Sequence, residues 1–365
     1  MIAQPGKTFI RSIFVSLLAA GLASCGAASA KASKGPDGLV LLTGDLSHRF
    51  MVKTITEPKD GLEKTKRVFA DRIRLNAFSA KDDWEWRASI STIDNSRLSS
   101  SLIGLSREAG HVMKIRDFQF VNLYGQWHSD TGTVIRAGRT QVPFLKLKSE
   151  MLWDNDIYWD GLWVEQPAKN LGNKAVWHGG AFEIHRDLRF RGDRLYVLGI
   201  TGQPKVGRMQ LEWRLDRFQY GIDTKGWINT TAPGYRIMNA YAAAEWPSQV
   251  RVTFDCSRNL RAAAPGPLHK GGDAWNATLL LGKMKRVGRF QVISQYFQAG
   301  ADAMPGNFVS YEKRNNMEGT QISIRYRLAP RVDVAADCMN WRRIEQAAGG
   351  DKSYRRWEWA LNHTF

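Results

Sequence analysis

Trp84-Glu85-Trp86-Arg87-Ala88-Ser89-Ile90-Ser91 separates its side chains completely, with Trp, Trp, Ala and Ile on one face and Glu, Arg, Ser and Ser on the other. A period of two marks a strand whose faces meet different media. The alternation recurs along the chain. Val250, Val252 and Phe254 alternate with Arg251, Thr253 and Asp255, and Ile322, Ile324, Tyr326 and Leu328 with Gln321, Ser323, Arg325 and Arg327. Met209, Leu211, Trp213 and Leu215 alternate with Arg208, Gln210, Glu212 and Arg214. Phe218, Tyr220 and Ile222 then follow against Arg217, Gln219 and Asp223, so that 207–214 and 216–223 together read as a hairpin.

An antiparallel sheet in a soluble sandwich would alternate as well. Three features favour a membrane barrel. The segments are long, ~9 to 11 residues, as a tilted crossing requires. The 14 Trp, 10 Tyr and 16 Phe often lie near segment ends, where barrels carry their aromatic girdles. Connections alternate between short and long, as turns and loops do on the two sides of such barrels. Beyond the N-terminal region no apolar run approaches the ~18 residues of a helical span. A closed barrel crosses without one, because it pairs every backbone group between strands.

Lys7 and Arg11 precede an apolar run from Ile13 to Ala23 that ends in small residues, the pattern of an export signal. Ala28-Ser29-Ala30 predicts cleavage after Ala30, leaving 1–30 as signal and 31–365 as the barrel; Leu22-Ala23-Ser24-Cys25 has the form of a lipoprotein box and offers the competing site. Strands are expected near 46–54, 68–79, 84–94, 117–127, 132–139, 176–185, 194–202, 207–214, 216–223, 235–245, 248–256, 273–282, 288–297, 318–328, 330–341 and 355–365. The total is about 16, an even number as bacterial barrels require, with 18 as the alternative. Tyr158 to Gln166 has strand character, but as a seventeenth strand it would put loops on the wrong side, so 140–175 is expected to be one long loop. Short turns fall at Lys81-Asp82-Asp83, Ser129-Asp130-Thr131, Trp246-Pro247 and Ala329-Pro330, and long loops at 95–116, 257–272 and 298–317.

The net charge of +17 is strongly basic, yet the charges are spread through alternating segments without a run or a nucleic-acid motif, which argues against a nucleic-acid partner. Cys256 and Cys338 share the apolar phase of separate strands and read as small apolar residues rather than a bridge. The seven histidines are scattered, and H-E-x-x-H, G-x-S-x-G and zinc spacings are missing. His128-Ser129-Asp130 reads as a turn. No enzymatic activity, cofactor or metal is expected.

The C-terminus, with Trp357, Trp359, Leu361 and Phe365 at alternate positions, resembles the signal by which barrel assembly machinery recognises outer-membrane proteins. Arg72-Ile73-Arg74-Leu75-Asn76, Trp84-Glu85-Trp86-Arg87, Ala137-Gly138-Arg139-Thr140-Gln141-Val142-Pro143-Phe144 and Met151-Leu152-Trp153-Asp154-Asn155-Asp156 resemble the porin family of Gram-negative outer-membrane β-barrels, the match being best over 68–166. The resemblance implies an outer-membrane channel for passive diffusion of small hydrophilic solutes or ions, in contact with lipid. It also implies a homotrimer and a third outer loop folded inward as a constriction. Residues 140–175 would be that loop, with Glu150, Asp154, Asp156 and Asp160 facing Arg72, Arg74, Arg87 and Arg136 across an eyelet. Arg139 is counted with the eyelet, although it shares the phase of Ile135 and Ala137, which also fits the outer rim. In the bland alternative these arginines only pair with Glu85, Glu212 or Asp255. A barrel enzyme acting on lipid or peptide and an exported β-rich binding protein are the competing classes.

Overall fold

The computed structural model describes residues 40–56, 63–92, 118–141, 158–169, 175–184, 193–221, 235–262, 271–304, 316–344 and 353–365. The strands are β1 (Leu41–Thr56), β2 (Glu63–Lys81), β3 (Trp84–Thr92), β4 (Phe118–His128), β5 (Val134–Gln141), β6 (Tyr158–Pro167), β7 (Ala175–Ile184) and β8 (Asp193–Gly202). They continue with β9 (Lys205–Val206), β10 (Met209–Gly221), β11 (Arg236–Glu245), β12 (Val250–Asn259), β13 (Asp273–Leu281), β14 (Phe290–Ala299), β15 (Met317–Ala329), β16 (Val332–Arg343) and β17 (Ser353–Thr364). The two-residue β9 pairs only with the start of β10. The other sixteen each pair antiparallel with their chain neighbours, and β17 returns to β1, so the sheet is an up-and-down ring without an edge.

Hydrogen-bonded partners followed once around the ring arrive back on β1 displaced by about 20 residues. At about 3.4 Å per residue and 4.8 Å between strands, that stagger tilts the strands by roughly 40° around a backbone cylinder of about 16 Å radius. Short turns gather at one end. Asp82 adopts a φ of 52° between β2 and β3, and Gln249 one of 66° between β11 and β12, where the Trp246 and Val250 backbones close the turn. Leu41 and Thr364 lie at this turn end, and the long connections all leave the other, the loop end.

The register carries one parity of each strand inward and the other outward. The outward set includes Leu42, Leu75, Trp84, Trp86, Leu123, Leu162, Trp177, Leu198, Leu215, Phe254, Leu279, Ile322, Ile324, Trp357 and Trp359, all with more than a third of their surface exposed. Inward positions include Ser47, Ser89, Gln126, Arg214, Asp255, Asn276, Gln295 and Ser323, all buried. A water-soluble sheet protein is built the other way round.

Two sequence expectations change, and they cancel. Tyr158–Pro167 is strand β6, so 140–175 is not one loop; β5 ends at Gln141 and β6 is followed by a second connection from 168 to 174. The expected hairpin at 207–223 is a single strand, Met209–Gly221. The ring therefore still has sixteen strands, and the span between β5 and β6 is still the third connection at the loop end. Both errors have one cause: β10 reads as two strands, and with the extra one counted Tyr158–Gln166 would be a seventeenth. Near the loop end aromatic side chains turn inward, as Trp159 and Trp163 do from β6. On β10 the apolar phase switches from Leu215 outside to Phe218 and Tyr220 inside, which mimics a turn at Asp216-Arg217.

Candidate pore lining

On the arc β1–β5 the inward face carries Arg49, Arg72, Arg74, Arg87 and Arg136 against only two carboxylates with described side chains, Asp45 and Glu85. The arginines are held against the wall. Arg72 Nη2 lies 3.4 Å from Asp45 Oδ1. Arg136 donates from Nε to Gln126 Oε1 at 2.8 Å and stacks over the Tyr124 ring at 4.7 Å, while Gln126 also donates to Glu85 at 3.1 Å. Arg49 reaches Glu358 across the seam at 3.9 Å. Fixed guanidinium groups cost little reorganisation when an anion passes, and they concentrate positive potential on one side.

Across the ring, β10–β12 place Glu212, Asp216, Glu245 and Asp255 inward against Arg214 and Arg251. Arg251 Nη2 pairs with Glu212 at 2.5 Å, and Lys283 closes on Glu245. Deeper in the wall, His178 Nε2 on β7 meets Asp216 Oδ1 on β10 at 2.6 Å, although β8 runs between them. They meet because the residue on β8 in register with both is Gly199. A Cβ there would lie 2.0 Å from Asp216 Oδ1 and 2.5 Å from His178 Nε2. Asp216 Oδ2 is 2.5 Å from Arg214 Nε, Arg214 donates to Asn239 at 3.1 Å, and Asn239 donates to Asp255 at 2.6 Å. His178, Arg214 and Asp216 have at most 3% of their side chains exposed. Polar groups so fully desolvated persist because they are paired with one another.

Toward the loop end the inward face is apolar. Trp159, Trp163, Phe182, Leu195, Phe218, Tyr220 and Ile237 form one buried cluster on β6–β11, and the Trp163 ring stacks on His178 with centroids 5.1 Å apart. Met304 and Ala303, beyond β14, join the same cluster. The cavity wall thus changes from charged near the turn end and middle to aromatic toward the loop end, over β6–β11.

Of the residues singled out from sequence, Arg72, Arg74, Arg87 and Arg136 come together on one wall. Arg139 does not join them. Odd positions of β5 face outward, and Arg139 forms a bidentate pair with the outward Asp160, Nε to Oδ1 at 2.8 Å and Nη2 to Oδ2 at 2.5 Å. Glu150, Asp154 and Asp156, like the signal segment 1–30, lie outside the described residues. The buried network around Asp216 was not singled out, and of the acidic wall on β10–β12 only Glu212 and Asp255 were named, as pairing partners; for the network, the inward Gly199 in register with His178 and Asp216 is the signal, and it needs the register to be seen. Trp357, Trp359 and Leu361 face outward along β17, with Phe365 after them. Cys256 and Cys338 are free and half-buried, on β12 and β16. Ser129 serves its own turn, bonded to Thr131 and Thr133. Among the described residues no group of three or more His, Cys, Asp or Glu is placed to hold a metal ion.

No protein-family model matches the sequence, and no curated protein matches it either. Solved structures do. OprB of Pseudomonas putida superposes with a TM-score of 0.59 over 89% of this chain and 94% of its own, at 10% identity. A variant of the Rh. blastica porin gives 0.50 over 90% and 100%, at 11% identity. A loop-deleted OmpT, an outer membrane protein of Vibrio cholerae, gives 0.50 over 90% and 100%, at 13% identity. The chain has the fold of the bacterial porins: a closed sixteen-stranded antiparallel barrel.

Proposed function

We propose that the protein is an outer-membrane porin of a Gram-negative bacterium, a water-filled channel for passive diffusion of small hydrophilic solutes. The observation that carries this is the parity of the closed ring, with large apolar side chains exposed outside and hydrogen-bonded polar side chains inside. Only a barrel wrapped in hydrocarbon and filled with water repays that arrangement. The turn end then faces the periplasm and the loop end the exterior, as in porins generally.

The basic arc on β1–β5 opposite the carboxylates of β10–β12 sets up a transverse field across the lumen. Asp216, Asp255 and Arg214 are sealed in the wall, so the water-facing charge of β10–β12 is small beside that of the arginines on β1–β5, and the channel leans toward anions. Arg72, Arg74, Arg87 and Arg136 form one side of the eyelet, and Glu150, Asp154 and Asp156 of the third loop complete it. The geometry suits a pore rather than an enzyme: His178 and Asp216 are the best candidates for acid-base work and are closed to solute. Assembly through Trp357, Trp359, Leu361 and Phe365, contact with lipid, and a homotrimer belong to the same reading.

Liposomes reconstituted with the folded protein should swell in isotonic solutions of small neutral sugars and not in those of large ones. Swelling equal to that of protein-free liposomes would remove the diffusion-pore function.

A further inference from the structure

The outer face of β8, β10, β11 and β12 bears four arginines toward the loop end: Arg194, Arg217, Arg236 and Arg258. Arg217 and Arg236, and likewise Arg236 and Arg258, are diagonal neighbours two residues out of register on adjacent strands, on the order of 7 to 8 Å apart at their backbones, whereas Arg194 stands four residues from the position opposite Arg217. Among the described residues no carboxylate faces outward on these strands. Elsewhere on the outer face Arg139 is matched by Asp160, and Arg342 by Glu318 at 2.8 Å. Among the described residues the patch is matched at its two margins, where Arg258 approaches Asp273 at 3.6 Å and Arg194 stands in register with the outward Glu183 of β7. Arg217 and Arg236 lie inside it, and among the described residues the Arg236 Nε is shielded from solvent without a hydrogen-bond partner.

Outward cations at this level are costly in hydrocarbon and favourable at an interface carrying fixed anions. Below them on the same strands, Leu198, Leu215, Met238 and Phe254 expose 63, 52, 43 and 47% of their surfaces. A cationic rim standing over an apolar wall matches an amphiphile with an anionic head. Arginine forks suit phosphate oxygens in particular.

We propose that this face binds the phosphorylated headgroup of an outer-leaflet lipid. Arg217 and Arg236 hold the phosphate, and acyl chains lie along Leu198, Leu215, Met238 and Phe254. The inference rests on the outer-membrane reading above.

Native mass spectrometry of the detergent-solubilised barrel with bisphosphorylated lipid A tests it, with heat-dependent gel mobility establishing that each variant is folded. Arg217→Ala with Arg236→Ala should lower the lipid-bound fraction about tenfold, as the loss of two charge-assisted contacts implies. The Arg217→Lys, Arg236→Lys pair should retain most of it, and Arg342→Ala should leave it unchanged. The proposal is overturned if the alanine pair binds as wild type does, if dephosphorylated lipid A binds equally well, or if millimolar inorganic phosphate displaces the lipid completely. Single-channel conductance of the same samples separates the two readings: a conducting barrel that ignores lipid A leaves the pore intact and removes only this site.

Discussion

Gly44 and Phe365 exchange two backbone hydrogen bonds of 2.9 Å, each amide donating to the other's carbonyl, and so fasten the last residue of the chain to the first strand. The Phe365 ring lies over Gly44, where a Cβ would come within 2.4 Å of ring Cε2 and 2.9 Å of the Arg74 carbonyl oxygen. The ring can swing aside; the β2 backbone cannot. Gly44→Val should therefore open the seam between β1, β2 and β17 and cut the heat-modifiable folded fraction several-fold in unboiled gels. Phe365→Ala, which removes a ring already 39% exposed, should cost only about 1–2 kcal/mol.

Gly199 is the gap through which His178 and Asp216 meet. Gly199→Ala should act like a charge deletion even though it adds only a methyl group, because that methyl occupies the hydrogen bond itself. Asp216→Ala leaves Arg214 buried without its carboxylate, a defect of about 3–5 kcal/mol. Both should lower the temperature at which the folded gel species disappears. An unchanged transition for Gly199→Ala would mean that the pair does not span β8.

Arg139 and Asp160 face the hydrocarbon side, where an unpaired charge is expensive. The Arg139→Ala, Asp160→Ala double variant should destabilise the barrel by less than the sum of the two single variants, with a coupling of about 1–3 kcal/mol in a double-mutant cycle. Additive effects would place the pair in water.

Arg72 and Arg74 set the charge of the basic wall. Arg72→Glu with Arg74→Glu should move the zero-current potential in a salt gradient toward cation preference, most at low ionic strength, where a Debye length of about 10 Å at 0.1 M leaves the lumen least screened. No movement would put the selectivity in the loops.

The fold was legible wherever the two faces of a strand differ in polarity, as in Trp84–Ser91 or Val250–Asp255, because period-two patterning reports directly on the two media. It failed where the inside is itself apolar. Trp159, Trp163, Phe218 and Tyr220 look like lipid-facing residues by composition, and only the ring's register reveals that they point inward. All of the basic wall but Arg49 could be named from phase alone, since Arg72, Arg74, Arg87 and Arg136 alternate with clear apolar neighbours. The His178–Asp216 contact could not, because three strands must first be aligned before a glycine on the middle one acquires meaning.

The most direct test of a water-filled lumen is single-channel recording in a planar bilayer, with potassium chloride asymmetric across it. The account predicts stepwise, ohmic conductance from the heat-modifiable species and a zero-current potential of the sign set by chloride. A folded barrel that inserts yet passes no current would contradict it.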